Sequence, residues 1–75
     1  MPNIEKIIGK MKNQPRGVRY NEAKRVLNHY GYTLIRKRGS NRYFRNKEGD
    51  LIVVKKESVL KISYVNDILE RINEE

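Results

Sequence analysis

Asn41, Tyr43 and Arg45 stand at alternate positions of a short run, Asn41-Arg42-Tyr43-Phe44-Arg45, in which strand periodicity turns alternate side chains to one surface. An amide, an aromatic ring and a guanidinium on one exposed surface suit RNA. The guanidinium takes a phosphate, the ring stacks an unpaired base, and the amide hydrogen-bonds. Phe44 is the only phenylalanine of the chain. In so small a core it is best buried, which turns the other three residues outward. An ordinary solvated sheet face, with the tyrosine covering apolar atoms, accounts for the same residues equally well.

Other chemistries have less to work with. The chain has no cysteine and one histidine, so a thiolate site and a zinc cluster are both excluded. His29 falls off the apolar stripe of its helix and reads as a solvated flank residue. No Ser/His/Asp grouping exists, and Glu48 and Asp50 read as turn polarity. Gly31, Gly39 and Gly49 punctuate elements and form no phosphate-cradling loop. No metal and no cofactor is expected.

Charge narrows the partners. Residues 10–47 hold twelve basic side chains and one acid, Glu22; residues 48–75 hold four basic side chains and seven acids. Residues 1–9 cancel, which leaves the chain at +8. Such segregation, more than solubility requires, gives one side a positive field that steers polyanions toward it. The longest apolar run, residues 51–54, is far short of the ~20 residues of a membrane span. Residues 1–11 lack the apolar stretch of a signal peptide, so a cytoplasmic protein without membrane partners is expected.

The elements that must position these residues follow from period. Ile4, Ile7, Ile8 and Met11 repeat at helical spacing behind Asn3, a suitable N-cap. Ala23, Val26, Leu27 and Tyr30 repeat it, with Asn21 expected as cap and Gly31 as the left-handed residue after the helix. Val65, Ile68, Leu69 and Ile72 form a third stripe, with Ser63 as the expected cap. Between the second and third helices the spacing is that of strands: residues 32–38, 41–45 and 51–55, joined by Gly39-Ser40 and by a loop over 46–50. Pro15 ends the first helix, expected over residues 3–12. The expected fold is a single α+β domain spanning residues 1–75, a three-stranded antiparallel meander with helices on one face and the other face open.

The stretch 31–45, with its Gly-Tyr start, basic strand and Gly39-Ser40-Asn41-Arg42-Tyr43-Phe44, resembles the HicA family of small toxins. The hallmark of that family is Gly-Ser-His-x-x-Phe at the start of the second strand; Gly39, Ser40 and Phe44 match it. The later part is also similar: a third strand running into Lys55-Lys56, then Lys61-Ile62-Ser63-Tyr64-Val65 ahead of Ile68-Leu69. The resemblance covers about residues 20–73 in its order of elements. It implies a double-stranded-RNA-binding-like α-β-β-β-α core, with residues 3–12 as an N-terminal helical extension.

The resemblance also implies a function: an mRNA interferase, a metal-independent endoribonuclease neutralised by a HicB-type antitoxin. The residues it assigns to RNA are Arg36, Lys37, Arg38, Gly39, Ser40, Arg42, Tyr43, Arg45, Lys55 and Lys56. Asn41 occupies the position of the family's catalytic histidine. Imidazole takes or gives a proton near neutral pH, whereas a carboxamide does not titrate there. Its nitrogen lies near the place of a ring nitrogen, so folding and hydrogen bonding should survive while cleavage is lost. Asn41 therefore implies either a member without the histidine or a chain inactivated by substitution. Two further readings stand beside this one: a non-catalytic RNA-binding module of double-stranded-RNA-binding-like fold, and a protein-binding member that titrates an acidic antitoxin.

Overall fold

In a computed structural model, which describes residues 3–72, the chain runs through α1 (Ile4–Asn13), a 3-10 turn (Pro15–Gly17), α2 (Tyr20–His29), β1 (Thr33–Arg38), β2 (Asn41–Arg45), β3 (Leu51–Lys55) and α3 (Ile62–Ile72). The strands form one antiparallel sheet in the order β1-β2-β3, so the fold is the expected α+β meander. Phe44, Ile52 and Val54 project from the sheet into a core shared with Met11, Val26, Leu27, Val65 and Ile68 of the three helices. The helices therefore cover one face of the sheet. None of them is long and apolar enough, among the described residues, to cross a membrane.

Local sequence explains most boundaries. Asn3 caps α1, its Oδ1 accepting from the Lys6 N–H at 2.8 Å. Pro15 pushes Gln14 out of the helical region, and α1 ends at Asn13. The leading helix is more than an appendage: Ile7 and Met11 are fully buried, and Lys10 donates to Glu22 of α2 at 2.9 Å. At the close of α2, Gly31 takes a φ of 90°. The N–H groups of Gly31 and Tyr32 then reach the carbonyls of Asn28 and Leu27, the paired bonds of a Schellman motif. Residue 73, the expected end of the family-like core, lies outside the described residues.

Three sequence expectations are corrected. The N-cap of α2 is Arg19, two residues before the expected Asn21. Glu22, at the third helical position, accepts from the Arg19 N–H at 2.9 Å, which starts the helix earlier. This draws the Tyr20 ring into the core beside Phe44, with ring centroids 6.5 Å apart. Ser63 is not the cap of α3 but lies in its first turn, because the helix begins at Ile62, where the Lys61 carbonyl accepts from Val65. The buried Leu60 fixes that start, its N–H bound to the Val18 carbonyl at 2.8 Å. Asp50 is more than turn polarity: it accepts from the Tyr32 hydroxyl and, at 2.6 Å, from Arg71, fastening the 46–50 loop to α3.

Candidate nucleic-acid interface

The face of the sheet turned away from the helices is built in three cross-strand rows. Thr33, Arg45 and Leu51 form the first, Arg36, Tyr43 and Val53 the second, and Arg38, Asn41 and Lys55 the third. Neighbours within a row are directly opposed, with Cβ atoms roughly 5 Å apart. Asn41, Tyr43 and Arg45 share this face because Phe44, at 0% exposure, holds the intervening position of β2 against the helices.

Arg36 and Arg38 reach the same face through an irregularity. Leu34 pairs with Phe44 and Arg36 with Tyr43, so Ile35 is an extra residue without a partner, a β-bulge. Strict alternation from Leu34 would carry Arg36 and Arg38 to the helix side. With the bulge, Arg36 stands beside Tyr43 and Arg38 beside Asn41.

Asn41 itself is delivered by a tight turn. Gly39 and Ser40 alone connect β1 to β2, and Gly39 takes a φ of 59°, the first-position glycine of a type II′ hairpin. The Arg42 guanidinium folds back on this turn, donating to the Gly39 carbonyl at 2.7 Å and the Asn41 carbonyl at 3.2 Å.

The cations named from the sequence are divided between the two sides of the sheet. Arg36, Arg38, Arg45 and Lys55 line the open face, whereas Arg42 and its cross-strand partner Lys37 lie on the helix side. Alternation along β2 requires this, since Arg42 has the parity of Phe44. Lys56 also turns to the helix side, its Nζ 5.6 Å from the centroid of the Tyr20 ring. Burial pushes the Tyr20 phenol above its ordinary pKa, and the charge of Arg42 works against that shift. The Lys56 N–H donates to the Ser40 carbonyl at 2.7 Å, closing the end of the sheet next to Asn41.

Chemically, the open face can grip phosphates from Arg36, Arg38 and Lys55, stack a base on Tyr43 and offer the Asn41 amide between them. The side chains that oppose Asn41, those of Arg38 and Lys55, both supply positive charge. His29, at the last position of α2, is exposed, with its ring edge-on to Tyr30 at 5.1 Å. It belongs to the helix layer, on the opposite side of the sheet from Asn41. Among the described residues no group of three or more His, Cys, Asp or Glu side chains could hold a metal ion. Sequence reasoning passed over Arg19 and Tyr20, because their proximity to Lys56 is a contact between distant segments. No protein-family model, no curated protein and no solved structure matches the chain.

Proposed function

We propose that the chain is a HicA-type toxin, an mRNA-directed endoribonuclease scaffold of the cytoplasm whose activity is silenced by Asn41 and whose partner is a HicB-type antitoxin. One observation carries the reading. The Gly39-Ser40-Asn41-x-x-Phe44 motif buries its phenylalanine and turns its third residue onto an open face, between Arg38 and Lys55 and next to the Arg36–Tyr43 row. A residue so placed meets an RNA strand where the phosphates are held. The Asn41 amide can hydrogen-bond to a ribose hydroxyl, but it cannot take the proton from a 2′-hydroxyl or return one to the leaving oxygen. The same positive face serves the antitoxin, which would cover it and exclude RNA.

Asn41→His tests this. General acid–base groups commonly contribute ~10²–10⁴-fold in rate. The variant should therefore cleave mRNA and arrest growth on induction, without sensitivity to EDTA and with rescue by the antitoxin. The parent chain should bind RNA without cutting it. Equal cleavage by parent and variant would remove position 41 from the chemistry. A second reading, a non-catalytic RNA-binding module, is favoured by the two cations, Arg38 and Lys55, that flank Asn41 in its row; binding by both chains with cleavage by neither selects it.

A further inference from the structure

Lys55 and Lys56 are consecutive, yet they face opposite sides of the sheet. Lys55 opposes Asn41 on the open face, while Lys56 lies over the Tyr20 ring on the helix side. The Lys56 N–H bond to the Ser40 carbonyl ties both to the turn that presents Asn41. Beyond Lys56 is an open groove of about 590 Å³ between the start of α2 and the 56–59 segment, walled by Arg19, Tyr20, Lys56, Glu57 and Val59. Its two cations outweigh its single acid, Glu57. Lys56 pairs with no carboxylate among the described residues; the tyrosine face alone supports its ammonium. Arg19 lends part of its field to Glu22. Val59 is 46% exposed and leaves an apolar floor beside the charges.

We infer that this groove is a second RNA subsite, which takes the phosphodiester backbone of a single strand after it leaves the open face around the end of the sheet. The inference rests on the RNA-binding reading above. A single small anion cannot reach cations on both sides of a sheet. A polymer of phosphates crossing the rim at Ser40–Asn41 reaches Arg38 and Lys55 first, then Lys56 and Arg19. The rim thus reads the strand on both sides of the nucleotide at Asn41, and the groove grips flanking nucleotides by the charges of Arg19 and Lys56 and by the exposed Val59 surface.

The test compares oligouridylates of about four and about sixteen nucleotides, the span of single-strand site sizes, by fluorescence anisotropy across a salt series. Each phosphate contact contributes about 0.7 to the salt slope for a single strand. Arg19→Gln with Lys56→Gln should make the long-RNA slope shallower by about 1.4 and weaken long-RNA binding, while leaving the short RNA, held by the open face alone, unchanged. A control with the same loss of charge at two exposed sites elsewhere, Lys12→Gln with Lys47→Gln, should leave the slope where it was. A thermal melt confirms that both variants fold. The subsite is overturned if the long-RNA slope does not change, if both lengths lose equally, or if the control has the same effect. If the parent chain binds neither length, the RNA-binding reading falls and the subsite with it, a result distinct from each of those.

Discussion

Asp50 receives hydrogen bonds from the Tyr32 hydroxyl and from the Arg71 guanidinium, which also reaches the Leu51 carbonyl at 2.9 Å. The tyrosine and then the arginine hold its carboxyl below the usual carboxylate range. Burial, helped by the bond to Asp50, pushes Tyr32 from 10.0 up to about 12. The two groups act at opposite ends of the pH scale. Asp50 stabilises the fold above the ordinary carboxylate pKa, and this contribution is lost as acid protonates it. The folded state resists ionising Tyr32, so stability falls as pH rises from 10.0 towards about 12. Tyr32→Phe removes the hydrogen bond to Asp50 and should destabilise the fold at neutral pH. Urea unfolding should show the gap between parent and variant narrowing through that alkaline window, because only the parent has Tyr32 to ionise. A gap that stays constant with pH would take Tyr32 out of the linkage.

Two glycines at the scale of the element separate propensity from backbone need. Gly9 sits inside α1, and a Cβ added there meets nothing within 4 Å. Gly9→Ala should stabilise the chain by roughly 0.5–1 kcal/mol, since alanine loses less backbone freedom in a helix. Gly39, with its φ of 59°, faces equally open space, yet its conformation disfavours a side chain. Gly39→Ala should cost about 1–2 kcal/mol and loosen the turn that delivers Asn41. For a domain of this size each kcal/mol moves Tm by roughly 4–8 °C, so thermal melts should show shifts of opposite sign. A Gly39→Ala shift that is zero or upward would mean that the turn does not depend on the glycine conformation.

Across the whole molecule, the antiparallel sheet has two electrically different ends. Arg36, Lys37, Arg38, Arg42, Lys55 and Lys56 gather around the Gly39–Ser40 turn. At the other end Glu48 and Asp50 offset Arg45 and Lys47, and Asp67 of α3 is joined to that end through Arg71 at 3.4 Å. The chain therefore presents a cationic rim, and binding there should release counterions. Log affinity for single-stranded RNA should fall linearly with log salt, with a slope of about −4 if six phosphates are neutralised. Titration of one RNA at several salt concentrations measures it. A flat response would remove the electrostatic basis of the RNA reading and leave protein binding as the use of this rim.

Period-two alternation along β2 was enough to place Asn41, Tyr43 and Arg45 outward and Phe44 inward, because the direction of successive side chains in a strand is a local property. The order of the elements, the Asn3 cap and the Gly31 stop were legible for the same reason: each depends on neighbours within a few residues. The bulge at Ile35 was not. Residues 32–38 carry no signal for it, and plain alternation from Tyr32 and Leu34 would have sent Arg36 and Arg38 beneath the helices. The pairing against β2 takes up the extra residue and leaves Ile35 at 48% exposure. The bonds between Asp50 and Arg71 and the seat of Lys56 over Tyr20 join residues far apart in the chain. Such contacts exist only once strands are in register and helices lie on one face. The chemistry along a single strand is thus written in the sequence, while the gathering of cations around Asn41 on both sides of the sheet is decided by how β1, β2 and β3 pair and by what the helices cover.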